Sequence, residues 1–478
     1  MLFTTTTFVL FFTVFFLLYW FVFNRSVSLQ NILILTGSYV FYAWADWRFL
    51  FLLIGSSVIT YFLGIAIAKT QNQRSRNLFL WIGLIQGLGC LLFFKYFNFF
   101  ITGFVSLLAK FNISTDIHTL NLLFPLGISF YTFRTIGYLL DIKRDKIKAN
   151  TDWVIFFSYV SFFPCLISGP IDRPGTMIPQ MEKRRVFDYN LAADGMRQIL
   201  WGVFKKVVIA DNCATFTNNV FNHYTTLPAS ALLFGAFMFT IQLYADFSGY
   251  SDMAIGLSSL LGIKITRNFD NPFFAQNIAD FWRRWHISLT SWLTDYIFTP
   301  LSIYFRDYGK AGLFAAILVN FTAIGIWHGA NWTFIVFGFL NGCYFIPLIL
   351  RGHLHKKKNN NGKLRAMMNA LATFILIMLT FVIFRSDSLQ QAFDFYRRLF
   401  STSFVSGFTI TEKVNTITTL IAIAVLFWVE WLQRDKQHAL QIDAIKRPVW
   451  RMLIYFGLIF FILSFSASTN RDFIYFNF

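Results

Sequence analysis

The chain has 478 residues, of which 56% are hydrophobic, 20% aromatic and only 13% charged. A water-soluble domain carries roughly 25% charged residues, so the composition excludes a soluble protein and describes a polytopic membrane protein. The formal charge of +18 could suit nucleic acid, but the basic residues cluster in short loops between apolar runs, as cytoplasmic loops do, and nucleic-acid binding is rejected.

Met1 to Phe23 is a full-length apolar run with no basic leader and no small-residue cleavage site, so it reads as a retained first span. Further spans are expected near Ile32 to Trp47, Phe49 to Ala68 and Leu78 to Phe94, with Arg25 and the basic loop Lys69 to Arg76 on the cytoplasmic side. The N-terminus is then outside. The polar patch Asn112 to Thr119 interrupts the pattern before a helix begins in Phe124-Pro-Leu-Gly-Ile-Ser-Phe-Tyr131, carrying Arg134 among aromatics. Lys143 to Lys148 is a second basic loop. Trp153 to Ser168 is apolar, and Gly169 to Gly175 holds too much glycine and proline to be continuous helix; it suggests a re-entrant loop shielded by protein or lining a cavity. Lys183-Arg184-Arg185 is again basic, and Leu191 to Asp211 holds Arg197, Lys205 and Lys206, too many charges for a plain span.

Leu232 to Ala245 leads into Asp246-Phe-Ser-Gly-Tyr-Ser-Asp252, whose carboxylates and serines are expected to cap a helix or pair with arginines. From Asn268 the chain turns through Asn268-Phe-Asp-Asn-Pro272. The spacing of Trp282, Trp285, Leu289, Trp292 and Tyr296 then predicts one helical face, with Arg283, His286, Thr290 and Thr294 on another. By itself this segment reads as an interfacial anchor or the wall of a wet cavity. Spans are expected at Gly312 to Trp327 and Trp332 to Leu350, then a solvated loop at Arg351 to Arg365. Leu371 to Phe384, an amphipathic Leu389 to Phe400, and spans near Ile417 to Trp431 and Met452 to Ala467 follow. No soluble domain and no fixed-period repeat interrupts residues 1–478, which read as a single membrane domain.

Phosphate-binding glycine loops, Cys/His metal spacings and a nucleophile-elbow serine are all missing, and the four cysteines, Cys90, Cys165, Cys213 and Cys343, read as small buried hydrophobes. What remains is histidine. His328 ends an apolar run between Gly325 and Gly329, where it needs a partner or a task. Alone, it is as compatible with a satisfied structural residue as with function. A neutral imidazole can take the proton of a hydroxyl as that oxygen attacks an acyl carbonyl. His286 could orient the donor, and Arg283 and Arg284 could pair with its phosphate or carboxylate groups.

Phe281-Trp-Arg-Arg-Trp-His-Ile-Ser-Leu289, with Trp292, Tyr296 and the later Trp327-His-Gly-Ala-Asn-Trp332, resembles the membrane-bound O-acyltransferase (MBOAT) family. Phe124 to Tyr131, Ser168-Gly-Pro170, Tyr244 to Asp252 and Asn268 to Pro272 are similar to its bacterial branch that O-acetylates alginate and other exopolysaccharides. The resemblance covers nearly the whole chain. It implies an all-α integral membrane fold, a ring of tilted transmembrane helices around a central tunnel, with re-entrant and interfacial helices. It places His328 at the family's intramembrane catalytic histidine and His286 at the family's second site residue, both taken as catalytic; Arg283, Arg284, Asn331, Asp246 and Asn268 are the candidate substrate or donor contacts. It also implies acetyl-CoA as a cytoplasmic acyl donor with no bound cofactor, a polysaccharide acceptor, a separate extracytoplasmic transferase resembling an esterase, and the bacterial inner membrane. The competing class is non-enzymatic, a transporter or channel for lipid-linked sugar or a scaffold of an export complex.

Overall fold

The computed structural model describes residues 1–113, 119–120, 123–352, 362–401, 403, 413–466 and 473–474. Most of the polar patch at 112–119 and most of the loop at 351–365 therefore lie outside the described residues. Within them the chain is helical, with no strand. Eight described helices are long and apolar enough to cross a membrane: Arg48–Lys69, Gln73–Lys110, Ala229–Leu260, Arg306–His328, Trp332–Leu350, Lys363–Arg385, Asn415–Leu432 and Pro448–Phe465. This is the all-α multi-pass membrane fold that the composition requires.

Several boundaries differ from the expected ones, for local reasons. The first apolar run forms the short helix Thr6–Leu17, capped by the Thr5 side chain, and continues only as the wide turn Leu18–Val22. The span expected at 78–94 lies inside a single helix of 38 residues, Gln73–Lys110, because nothing in its sequence breaks it. The run from Trp153 stops at Ser161. Phe162 leaves the helical conformation, and the helix restarts with Pro164 in its first turn, where the missing N–H costs nothing.

The chain divides into two compact units. Residues 1–195 with 257–266 form one, and residues 196–256 with 267–478 the other. The first is organised around Arg134, which is 1% exposed in the helix Ile128–Lys143. Its guanidinium donates to the carbonyls of Tyr159, Val160 and Pro170 at 3.2–3.3 Å. Those carbonyls belong to the end of one helix and to the Gly169–Gly175 stretch, whose first residues are buried and non-helical as expected. Buried carbonyls without helical partners need a donor, and the arginine supplies it. Asp172 does the converse, accepting from the Thr266 backbone N–H at 2.8 Å and its hydroxyl at 2.5 Å.

The second unit is built on residues 229–256 of the helix Ala229–Leu260, most of which is buried. The carboxylates of Asp246 to Asp252 do not cap this helix. They stand inside it and face lysines from a wide helical turn, Phe204–Ala210. Lys205 meets Asp252 at 2.6 Å and Ser248 at 2.9 Å; Lys206 meets Asp211 at 2.8 Å and Asp246 at 3.0 Å. Two glycines permit the approach, since a Cβ on Gly202 would run into the Gly249 carbonyl, and one on Gly249 into that of Gly202.

Candidate active site

The organising segment is not one helix. Ile278–Arg284, capped by the Asn277 side chain, ends at Trp285, which is extended, and His286 adopts the left-handed conformation at φ 46° before Ile287–Leu293 begins. The aromatic spacing is helical on both sides, so periodicity alone could not reveal the break. Left-handed backbone is uncommon for a residue with a side chain and marks a position held by its surroundings.

What holds it is Asn268. Its side-chain oxygen accepts from the Ser288 N–H at 3.2 Å, its backbone oxygen accepts from the Ile287 N–H at 2.9 Å, and its amide donates to Ser251 at 3.1 Å. The two N–H groups are those left unpaired at the start of Ile287–Leu293, so Asn268 caps that helix from a distance in sequence. It fixes the orientation of His286 against the helix bearing Ser251.

His286 is 1% exposed and lies edge-on to Phe247, with ring centroids 4.5 Å apart. Its imidazole also meets the indole of Trp327 at 5.6 Å. Trp327 in turn is 4.9 Å from the ring of His328. The two histidines thus share one indole. Burial pushes the His286 imidazole down to about 3, so it is uncharged at neutral pH.

His328 is the last residue of Gly309–His328 and is 6% exposed. Phe384 lies edge-on at 5.0 Å, with Phe337 and Phe334 at 6.1 and 6.3 Å. The glycines flanking it admit protein. A Cβ on Gly325 would strike the Phe334 carbonyl, one on Gly338 the Phe321 carbonyl, and one on Gly329 the ring of Phe334. Gly309–His328 and Trp332–Cys343 therefore pack backbone to backbone, and the turn between them presents the imidazole to the aromatic cluster.

The remaining candidates separate. Arg283 keeps 58% of its side chain exposed and reaches Asp280 only at 4.0 Å, so it does not accompany His286 inside. Arg284 is tied to Asp280 at 3.0 Å and to the Asp270 carbonyl at 3.4 Å. Asn331 caps Trp332–Cys343 through the Thr333 N–H at 3.1 Å and donates to the Asp387 carbonyl at 2.8 Å. Asp246 is 2% exposed between Lys206 and the Ile474 N–H, the latter at 2.8 Å.

Sequence reasoning missed Asn341, fully buried, which accepts from the Trp282 indole N–H at 3.1 Å and joins the two histidine-bearing regions. A polar amide inside the run Trp332 to Leu350 was the available signal. It also missed Glu430, which accepts from the Tyr244 hydroxyl at 2.6 Å. Tyr244, Lys205, Asp252, Arg267, Asn271, Glu430 and their neighbours line a cavity of about 30 Å³, large enough to hold water. No group of three or more residues suited to hold a metal occurs among the described residues.

Residues 3–386, which include both histidines, match the MBOAT, membrane-bound O-acyltransferase, family. A probable alginate O-acetylase of Azotobacter vinelandii is 36% identical over 403 residues, covering 83% of this chain and 77% of that protein. A probable alginate O-acetylase of Pseudomonas aeruginosa is 36% identical over 379 residues, covering 78% and 70%. A peptidoglycan O-acetyltransferase of Helicobacter pylori is 33% identical over 488 residues, covering 92% and 90%. With two buried histidines on one indole, and with similarity running through every segment that builds them, the chain belongs to the membrane-bound O-acyltransferase family.

Proposed function

We propose that the protein moves acetyl groups from cytoplasmic acetyl-CoA to hydroxyls served from the outer face of a bacterial inner membrane, for O-acetylation of a cell-surface polysaccharide. The observation that carries this reading is the shared contact of His286 and His328 with Trp327, deep among aromatics. The alginate and peptidoglycan O-acetylating relatives supply the acetyl group and the class of acceptor.

In this reading His328 is the general base. Its neutral imidazole takes the acceptor hydroxyl's proton as the oxygen attacks the thioester carbonyl. The carbon–sulfur bond then breaks, and the imidazolium returns the proton to the leaving thiolate, giving an acetyl ester and free CoA. His286, neutral and fixed by its backbone, positions the donor beside the same indole. Arg283, with an exposed guanidinium, meets the donor's phosphates, and Arg284 supports it. Asp246, Asn268 and Asn331 act through the segments they hold, because their polar atoms are already engaged. An extracytoplasmic esterase-like transferase supplies that first hydroxyl, and a polysaccharide hydroxyl then attacks the resulting acetyl ester, taking the acetyl group and freeing the transferase's hydroxyl.

The test uses purified protein in sealed vesicles, with labelled acetyl-CoA on the cytoplasmic face and the partner transferase with acceptor on the other. Label bound covalently to the acceptor, with matching release of CoA thiol, is expected. Passage of lipid-linked sugar with no thiol released would replace the enzyme reading with transport.

A further inference from the structure

The first unit contains a groove that plays no part in the chemistry above. Phe16, Trp20, Phe21, Asn24 and residues 184–187 line a cavity of about 290 Å³. Its walls are aromatic: Phe187 lies edge-on to Trp20 at 5.4 Å and to Phe16 at 6.3 Å. Arg185 lies within this wall and is only 5% exposed. Its Nε donates to the Tyr19 hydroxyl at 2.8 Å and its Nη1 to the Met181 carbonyl at 3.1 Å. Its buried Nη2 has no hydrogen-bond partner, and no carboxylate lies within ion-pair distance of it, among the described residues.

A buried guanidinium without an anion is costly, and the surroundings indicate which anion would complete it. Arg184 stands exposed at the mouth, and Arg25 follows the first helix. In the other direction that helix and the turn after it expose a track of large apolar side chains, with Phe21, Leu17, Val14 and Leu10 49–75% exposed. Cationic groups, then an indole, then a hydrocarbon track is the order of layers at a bilayer surface. A soluble anion would use the arginines and leave the track bare.

We propose that this groove is a binding site for one anionic phospholipid, its phosphate on Arg185 and Arg184 and its chains along Phe21, Leu17 and Phe187. The bound lipid would also brace the turn after Leu260, since Tyr19 and Trp20 donate to the Leu261 and Leu260 carbonyls at 3.0 Å and the Arg185 stem packs on Gly262.

Native mass spectrometry of the full-length protein, delipidated and titrated with phosphatidylglycerol or phosphatidylcholine, tests this. One phosphatidylglycerol should be retained in preference to phosphatidylcholine. Arg185→Met, which keeps the stem, should weaken that retention at least about tenfold. Phe187→Glu should weaken it while leaving the hydrogen bonds of Arg185 intact, so a folding defect in the first variant does not decide the matter. Coenzyme A should not displace the lipid. Equal retention of the two lipids, unchanged retention in Phe187→Glu, or displacement by coenzyme A would each overturn the proposal.

Discussion

Two polar regions of the second unit run along the same helix and are built on opposite principles. At Asp246, Ser248 and Asp252 the helix Ala229–Leu260 meets Lys205 and Lys206, and every charge there has an opposite charge within 3.0 Å. At Phe247, one residue along, it meets His286, whose imidazole lies against the rings of Phe247 and Trp327. The first arrangement neutralises charge where water is scarce, which is what architecture demands. The second leaves one titratable ring uncharged and oriented, which suits the donor-positioning role proposed for His286. Ion pairs hold Ala229–Leu260 to the turn Phe204–Ala210, and aromatic rings hold the imidazole of His286.

Substitutions can break this comparison, and the largest effect is expected at His328. His328→Ala should lower acetyl transfer about 10²- to 10⁴-fold, the usual contribution of a general base, in a protein that still folds with a lowered melting temperature from the space left among the rings. His286→Ala should be milder and show mainly as weaker use of acetyl-CoA.

The next effect belongs to the ion pairs. Lys206→Met strands Asp211 and Asp246, and the uncompensated buried charge should cost about 3–5 kcal/mol, read as a fall in melting temperature and in folded yield. Adding Asp246→Leu should recover part of that loss. A single variant as stable as the parent would show that the pairs are not architectural.

Asn268→Ala sharpens the boundary between the two regions, because Asn268 belongs to the architecture yet orients a histidine. Loss of its bond to the Ser288 N–H should cost about 1–2 kcal/mol, and transfer should fall with it as His286 loses its fixed backbone.

Acid acts through the same histidine. Burial holds the folded pKa of His286 near 3, below its ordinary value of 6.5, so between these values the unfolded chain binds the proton and the folded one does not. Stability is therefore full above pH 6.5 and declines as pH falls toward 3, by at most about 1.4 kcal/mol per pH unit from this residue. Thermal unfolding at pH 7.5 and 5 should show a smaller acid-induced drop for His286→Gln than for the parent.

The smallest change in stability is expected at Arg283, where an exposed side chain pairs at only 4.0 Å. Arg283→Gln should alter stability by less than about 0.5 kcal/mol while raising KM for acetyl-CoA with kcat unchanged. Unaltered KM would remove Arg283 from the donor site.

The all-helical class was legible because hydrophobic runs of membrane length carry their own signal, and the place of His328 at the buried end of a span was legible because an imidazole there is conspicuous. The break at Trp285–His286 was not. Helical spacing on both sides of a kink looks like one helix, and the left-handed backbone depends on Asn268, eighteen residues upstream in the chain. The pairing of Lys205 and Lys206 with Asp252 and Asp246 was likewise hidden. Both sets of charges were conspicuous, but their meeting depends on the contact of Gly202 with Gly249, which no local pattern encodes.

The most direct test measures acetyl transfer per folded molecule for His328→Ala and Lys206→Met side by side, using labelled acetyl-CoA and the partner transferase. The histidine variant should be folded and nearly inactive. The lysine variant should be poorly folded, with its surviving folded fraction transferring at close to the parent rate. Near-normal transfer by His328→Ala, or a stable but inactive Lys206→Met, would contradict the division between chemistry and architecture.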